Sequence, residues 1–258
     1  MSAPLPPIVE FREATKRFGE GPLVLDRLNL TVQPGAFVSL IGPSGCGKST
    51  LLRLIAGLTP LTTGSLIVDR RSPDAAAADL AFVFQEPTLL PWLSVAANIE
   101  LPLALRGIAP AERSATSRRV LDLVRLSEKA DAYPRQLSGG QKMRVSIARA
   151  LALSPKILLL DEPFGALDEM TREHLNEELL TIRVRHAWTA FFVTHSVAEA
   201  VFLSNRILIF SANPGHLHTE IPVPFPYPRT EATRRSRPFH DLIADVSRIL
   251  RSVEPDTV

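Results

Sequence analysis

Residues 37 to 58, "FVSLIGPSGCGKSTLLRLIAGL", change character twice. A short apolar run leads into a turn of glycine, proline and serine, after which apolar residues recur at helical spacing at Leu51, Leu54, Ile55 and Leu58. Strand, loop, helix is the setting in which the pattern G-x-x-x-x-G-K-[ST], filled by Gly42, Gly47, Lys48 and Ser49, carries meaning. Glycines let the backbone wrap closely round phosphate oxygens, and the amides opening the helix aim partial positive charge at them. Pro43, Ser44, Gly45, Cys46 and Thr50 complete the loop. In such a loop Lys48 reaches the β and γ phosphates and the Ser49 hydroxyl ligates Mg²⁺. A plain glycine-rich turn would not account for the strand and helix on either side.

Further strands end in polar residues, and α/β folds gather their ligands at the carboxyl ends of parallel strands. "KILLLDEP" has four apolar residues, Ile157 to Leu160, which read as a strand buried on both faces, followed by Asp161 and Glu162. Asp161 suits the second shell of Mg²⁺ and Glu162 the polarising of an attacking water, although taken alone the stretch reads equally as a surface turn. "TAFFVTHSVAEAV" places His195 after an apolar strand, Thr189 to Thr194, as a phosphate contact, with Ser196 as a helix N-cap. Gln85 closes "LAFVFQ" and is placed to contact water or Mg²⁺. A second glycine-dense stretch, "PRQLSGGQKMRV", puts Ser138, Gly139 and Gly140 ahead of a helix expected to start near Gln141. That too is an arrangement that holds an anion.

Taken in order, Phe18, "GPSGCGKST", Gln85, "LSGGQ", "ILLLDE", "ALD" with Asp168, and His195 resemble the nucleotide-binding subunit of ATP-binding cassette (ABC) transporters. The resemblance covers residues 8 to about 212 and is carried most specifically by "LSGGQ". It implies ATP and Mg²⁺ as cofactors, Phe18 as the aromatic stacked on adenine, Glu162 as general base, and Lys48, Gln85 and His195 at the reacting phosphate. It also implies a head-to-tail homodimer in which Ser138, Gly139, Gly140 and Gln141 of one copy face the ATP held by the other, with Asp168 at the interface. Phe18 stands where tyrosine is frequent, and Lys142 and Met143 where arginine and glutamine are usual. Cys46, inside the phosphate loop, is expected to be shielded from thiol reagents by MgATP.

The expected fold is α/β: a P-loop NTPase core around a mainly parallel sheet, with an antiparallel β subdomain. An inserted helical subdomain, about 86 to 154, carries the signature between core segments 8 to 85 and 155 to 212. Within it Val120, Leu121, Val124 and Leu126 trace a helical face, with Arg118 and Arg119 outside it. A short extension, 213 to 258, follows. It is rich in proline, with "HLHTEIPV" as a possible strand and a terminal amphipathic helix whose Leu242, Val246, Ile249 and Leu250 pack on the chain's own core. Arg229, Arg234, Arg235 and Arg237 read as solvated surface.

A chain of 258 residues with 45 % apolar content can bury a full core, and its net charge of +2 gives no push toward nucleic acid. The single cysteine excludes an intramolecular disulfide. No apolar run is long enough to span a bilayer, and the first fifteen residues lack leader features, so the expected location is peripheral, on the cytoplasmic face of the cell membrane. In a monomer, Pro87, Leu89, Leu90, Pro91 and Trp92 read as core. The resemblance instead makes Gln85 to Ile99 the groove that receives a membrane permease, with Trp92 as anchor. "LLPWLSVAANI" and "DEPFGALDEMTREHL" look most like importers of the nitrate, sulfonate and taurine group, which work with a separate solute-binding protein. The competing reading is a soluble ABC ATPase acting on nucleic acid or ribosomes, but the chain has one cassette and no sustained heptads between Gln85 and Leu137. An Asn-Lys-x-Asp guanine-reading motif is absent.

Overall fold

Alternating burial produces the first sheet. In Val9–Arg17 (β1) and Leu23–Val32 (β2), Val9, Phe11, Leu28, Leu30 and Val32 point inward between polar neighbours, as a half-buried antiparallel pair requires. Phe37–Ile41 (β3) and Lys48–Ile55 (α1) follow, and Thr63–Val68 (β4) returns to pair with β1, giving an antiparallel order β2-β1-β4. The computed structural model describes residues 5–185, 188–212 and 214–253. Residues 1–4, part of the stretch read for a leader, and 254–258 of the extension lie outside them.

The second sheet is built from unbroken apolar runs. After a short helix, Pro73–Ala76 (α2), come Leu80–Val83 (β5), the helices Val95–Leu105 (α3), Pro110–Leu123 (α4) and Gly139–Ala152 (α5), then Ile157–Asp161 (β6). Glu169–Arg185 (α6), Thr189–Val193 (β7), Val197–Leu203 (α7), Arg206–Ser211 (β8), His216–Pro222 (β9), Glu231–Arg234 (α8) and Arg237–Val253 (α9) complete the chain. The strand order is β5-β6-β7-β3-β8-β9, parallel throughout except for β9. Successive side chains of β6 serve different cores: Ile157 and Leu159 pack with α1 and the antiparallel sheet, Leu158 and Leu160 with α3 to α6. Both faces are covered, so the run carries no alternation. The sheet also continues past residue 212, because β9 pairs with β8.

Residues 86–154 fold as α3, α4 and α5 packed on one another. Val120, Leu121, Val124 and Leu126 are buried, while Arg118 and Arg119 are exposed, although Leu126 lies beyond the end of α4. The terminal helix α9 packs on its own core through Phe239 and Val246, with Leu242, Ile249 and Leu250 half-buried beside them.

Several expectations fail for identifiable reasons. Leu58 is not on the α1 stripe: Gly57, at φ +70°, ends the helix, with its amide bonded to Leu54 O at 3.1 Å and the Leu58 amide to Arg53 O at 2.9 Å. This glycine-terminated cap throws Leu58 outward. The signature helix begins at Gly139, ahead of Gln141, because Ser138 caps it. Gln85 follows β5, which stops at Val83, and Thr194 lies one residue past β7. Trp92 is not core but 68 % exposed. The arginine cluster is not all surface: Arg229 is buried and donates to Val201, Phe202 and Ser204 carbonyls at 2.8–2.9 Å, capping the end of α7, and to Phe225 O. The Arg234 guanidinium lies 3.5 Å over the Phe202 ring, and only Arg235 and Arg237 are exposed.

Candidate active site

Strand order assembles the site. Along the row β5-β6-β7-β3, the carboxyl ends deliver in turn Gln85, Asp161 with Glu162, His195, and the phosphate loop. Registers Val83↔Leu160, Asp161↔Val193 and Leu40↔Val193 set these ends level. Residues separated by more than a hundred positions thereby meet at one edge.

The loop itself is held by its own chain. Gly42 has φ +155°, and a Cβ there would lie 2.4 Å from Phe210 O, so no other residue fits. Gly47 adopts φ +93° as the N-cap of α1. Lys48, only 5 % exposed, curls over the loop and donates to Gly42 O at 2.8 Å and Pro43 O at 2.9 Å, with Cys46 Sγ at 3.6 Å. Its ammonium is thus fixed against the carbonyls of the loop. Cys46 is fully buried, and burial pushes its thiol pKa up. Shielding by MgATP therefore cannot be the reason it would resist thiol reagents: the loop's own packing covers the sulfur already.

Across β7, Ser49 Oγ donates to Asp161 Oδ1 at 2.8 Å. Burial raises the Asp161 pKa above the ordinary value, against the pull of the Ser49 bond. A half-buried carboxylate joined to a hydroxyl, with Arg53 and Lys48 the cations that act on it, is a donor set suited to a hard divalent ion with oxygen ligands. Glu162 takes the left-handed region at φ +47°, its amide donating to Val193 O at 3.1 Å. Non-glycine residues are uncommon there. The bend turns its carboxylate back over the strand ends, where His195 Nε2 stands 2.8 Å from Glu162 Oε1. Glu162 and His195 line a cavity of about 200 Å³ together with Ser44, Gly45, Lys48 and Ser49. They also line a neighbouring cavity of about 380 Å³ with Gln85 and Arg172.

Thr50 lines the first cavity, whereas Pro43 is half-buried and does not line it. Phe18 does not line it. It stands 49 % exposed after β1 with Lys16 Nζ 4.5 Å from its ring centre, an open aromatic face. The signature residues lie elsewhere. Ser138 and Gly139 are exposed, and Ser138 and Gln141 cap each other, Ser138 N donating to Gln141 Oε1 at 3.0 Å and Gln141 N to Ser138 Oγ at 3.3 Å. Gly140 is buried against α6, where a Cβ would meet Thr171 Cγ2 at 2.8 Å. That contact sets the signature beside Asp168, which is exposed and accepts from Thr171 N at 3.0 Å. The Thr171 amide holds the Asp168 carboxyl below its usual range.

Sequence reading missed Arg172, Thr194 and Glu199, all of which line the larger cavity. For Glu199 a signal existed: Ser196-x-x-Glu199 is a capping-box pattern. The approach to α3 is also built from polar side chains. Buried Asn98 accepts from Leu90 N and donates to Leu90, Leu93 and Ser94 carbonyls, and Arg149 donates to Pro87 and Thr88 carbonyls at 2.9–3.0 Å. With the backbone so held, Trp92 is presented outward.

The sequence model of the ABC transporter family matches residues 25–165. An aliphatic sulfonates import ATP-binding protein of Bacillus subtilis is 46 % identical over 83 % of this chain and 83 % of its own length. A taurine import ATP-binding protein of Rhizobium johnstonii is 43 % identical over 92 % of this chain and 93 % of its own. Among solved structures, a dimeric ATP-binding cassette in a post-hydrolysis state bound to ADP and Pi superposes with a TM-score of 0.74 at 34 % identity, covering 84 % of this chain and 99 % of that one. These likenesses agree with one another, and the chain belongs to the ABC transporter family as an ATP-binding cassette ATPase.

Proposed function

We propose that this chain is the ATP-hydrolysing subunit of an importer and drives uptake of a small solute of the nitrate, sulfonate and taurine group through a separate membrane permease. The observation that carries the chemistry is the shared cavity in which Lys48, Ser49, Glu162 and His195 converge. In this reading Lys48 and the loop amides of residues 42–50 hold the nucleotide phosphates. Ser49 and Asp161 hold Mg²⁺, with Gln85 approaching from the adjacent cavity, and Phe18 stacks on adenine. Bound Mg²⁺ neutralises charge on the phosphate oxygens. Glu162 accepts the proton of the attacking water, and His195, 2.8 Å away, orients that carboxylate and stabilises charge on the transferring phosphoryl group. Preorganised donors of this kind stabilise charge where it develops in the transition state.

Among the described residues, Ser138, Gly139 and Asp168 are exposed. We read that exposed face as one half of a head-to-tail dimer contact, in which the signature of one copy closes over the nucleotide of the other. Hydrolysis then weakens the contact. The import names of the Bacillus and Rhizobium relatives support a permease partner. No helix among the described residues is long and apolar enough to cross a membrane, so in this reading the chain attaches to the inner face through the permease. The segment from Gln85 to Ile99, braced by Asn98 and Arg149 with Trp92 outermost, is the docking surface. A solute-binding protein outside the membrane selects the cargo.

The test is purification of the tagged chain from detergent-solubilised membranes of its host, alongside Trp92→Ala. A polytopic protein in stoichiometric amount is expected with the wild type and lost with Trp92→Ala, whose isolated ATPase rate and Tm stay nearly unchanged because most of the side chain is exposed. Recovery only with ribosomal or DNA-bound partners would replace the import reading by the soluble one.

A further inference from the structure

His195 occupies an exposed turn between β7 and α7, and its ring touches Glu162. Its backbone neighbours, by contrast, are tied down. The Thr194 hydroxyl donates to the Glu199 carboxylate and accepts from Ser196 N at 3.0 Å. Ser196 Oγ accepts from Glu199 N at 3.3 Å, and the Thr194 amide reaches Leu40 O. Glu199 therefore grips the residues before and after His195, one through its side chain and the other through its backbone.

The arrangement departs from an ordinary helix start. In a capping box the acidic side chain returns directly to the N-cap amide. Here the Thr194 hydroxyl is interposed between Glu199 and the Ser196 amide, and the carboxylate is carried inward to 6 % exposure. Burying a carboxylate is unfavourable unless partners compensate, and capping a seven-residue helix does not require it. Its position explains the burial. Glu199 lines the 380 Å³ cavity with Glu162, His195 and Arg172, and Arg172 Nε lies 3.8 Å from its second oxygen. Arg172 in turn donates to Leu167 O at 2.9 Å, next to Asp168. A strap thus runs from the segment beside Asp168, through Arg172 and Glu199, to Thr194 and the turn that carries His195.

Building on the role given to His195 above, we infer that Glu199 is a positioning residue: through Thr194 and Ser196 it holds the His195 ring at hydrogen-bonding distance from Glu162. It touches no reacting atom. Its effect on hydrolysis is exerted through His195 alone.

Steady-state ATPase measurements on Glu199→Ala, Glu199→Gln, Thr194→Val, His195→Ala and the double variant Glu199→Ala/His195→Ala test this. Glu199→Ala and Thr194→Val are each expected to lower kcat about 10- to 100-fold, the scale of a misplaced catalytic group. KM for ATP should stay within about twofold. Glu199→Gln, whose amide oxygen still accepts from Thr194, restores most of the rate. In the His195→Ala background Glu199→Ala costs nothing further, since the residue it positions is gone. Multiplying effects in the double variant, or a Glu199→Gln as slow as Glu199→Ala, would overturn the inference. Should Glu199→Ala fail to fold, Thr194→Val cuts the same strap with a side chain of similar shape and decides alone. A wild-type rate in His195→Ala sinks the catalytic reading itself. A slow His195→Ala beside normal Thr194→Val and Glu199→Ala sinks only the positioning role.

Discussion

The phosphate loop and the signature loop both set glycines before a helix N-terminus, yet the chain treats them oppositely. The first is sealed into the fold: Gly42 is pressed against Phe210 O, Cys46 is buried, and Lys48 is bonded to two loop carbonyls. The second is finished only on its inner side, where Gly140 packs on Thr171, while Ser138 and Gly139 face outward with a cap made from Ser138 and Gln141 themselves. One loop is packed within its own molecule, and the other leaves Ser138 and Gly139 exposed. An anion site that must be opened and closed can be built this way, since the closing half lies on a separate body.

Replacing Glu162, the general base in the proposed function, should separate the two loops most sharply. Glu162→Gln should slow phosphate release about 10²- to 10⁴-fold while ATP affinity holds. In size-exclusion chromatography with MgATP it should then persist as a dimer, because the nucleotide joining the two loops is no longer consumed. Hydrolysis at the wild-type rate would remove Glu162 from its role, and a monomer that binds ATP tightly would break the contrast between the loops.

A smaller but more specific effect comes from mixing two inactive chains. Lys48→Ala spoils the phosphate loop and Ser138→Arg the signature, and each alone should be inactive. Combined, half of randomly formed dimers pair one with the other and contain one intact site, so about a quarter of the wild-type rate should return. No recovery would mean that both loops serve the same nucleotide from the same chain.

The smallest effect is a shift in thermal stability at Asp161. Its pKa is raised by burial, so its contribution to stability is present at acid pH and lost as pH rises through the folded-state value. At neutral pH the charged carboxylate is then a liability in the nucleotide-free chain. Asp161→Asn, still able to accept from Ser49, should raise the nucleotide-free Tm, by about 2–4 °C for each kcal/mol relieved. It should abolish Mg²⁺-dependent hydrolysis. A lowered Tm would show that the ionised carboxylate is stabilised by its surroundings, and that the phosphate side is already satisfied without a cation.

Local chemistry made much of this legible in advance. Unbroken runs such as Ile157 to Leu160 announce strands covered on both faces, and the spacing of Gly42, Gly47, Lys48 and Ser49 announces a phosphate loop, because each depends on neighbours a few residues away. Where a distant contact intervenes, the reading fails. Arg229 carries the composition of a surface residue but is drawn inside by the free carbonyls at the end of α7. Trp92 has the composition of core but is turned outward by a loop whose backbone groups are taken up by Asn98 and Arg149.

What the sequence by itself determined is the set of strand ends and the chemistry each carries: the glycine loop, the acidic pair, the histidine and the signature. What only the tertiary structure decided is their adjacency, through the strand order β5-β6-β7-β3 that levels Gln85, Glu162, His195 and the loop. It also decided the strap by which Glu199 reaches His195. The division is physical. Periodicity and turn chemistry act over a few bonds and are written in the neighbouring residues, whereas strand order and buried polar pairing emerge from covering two faces of one sheet at once, and depend on the whole chain.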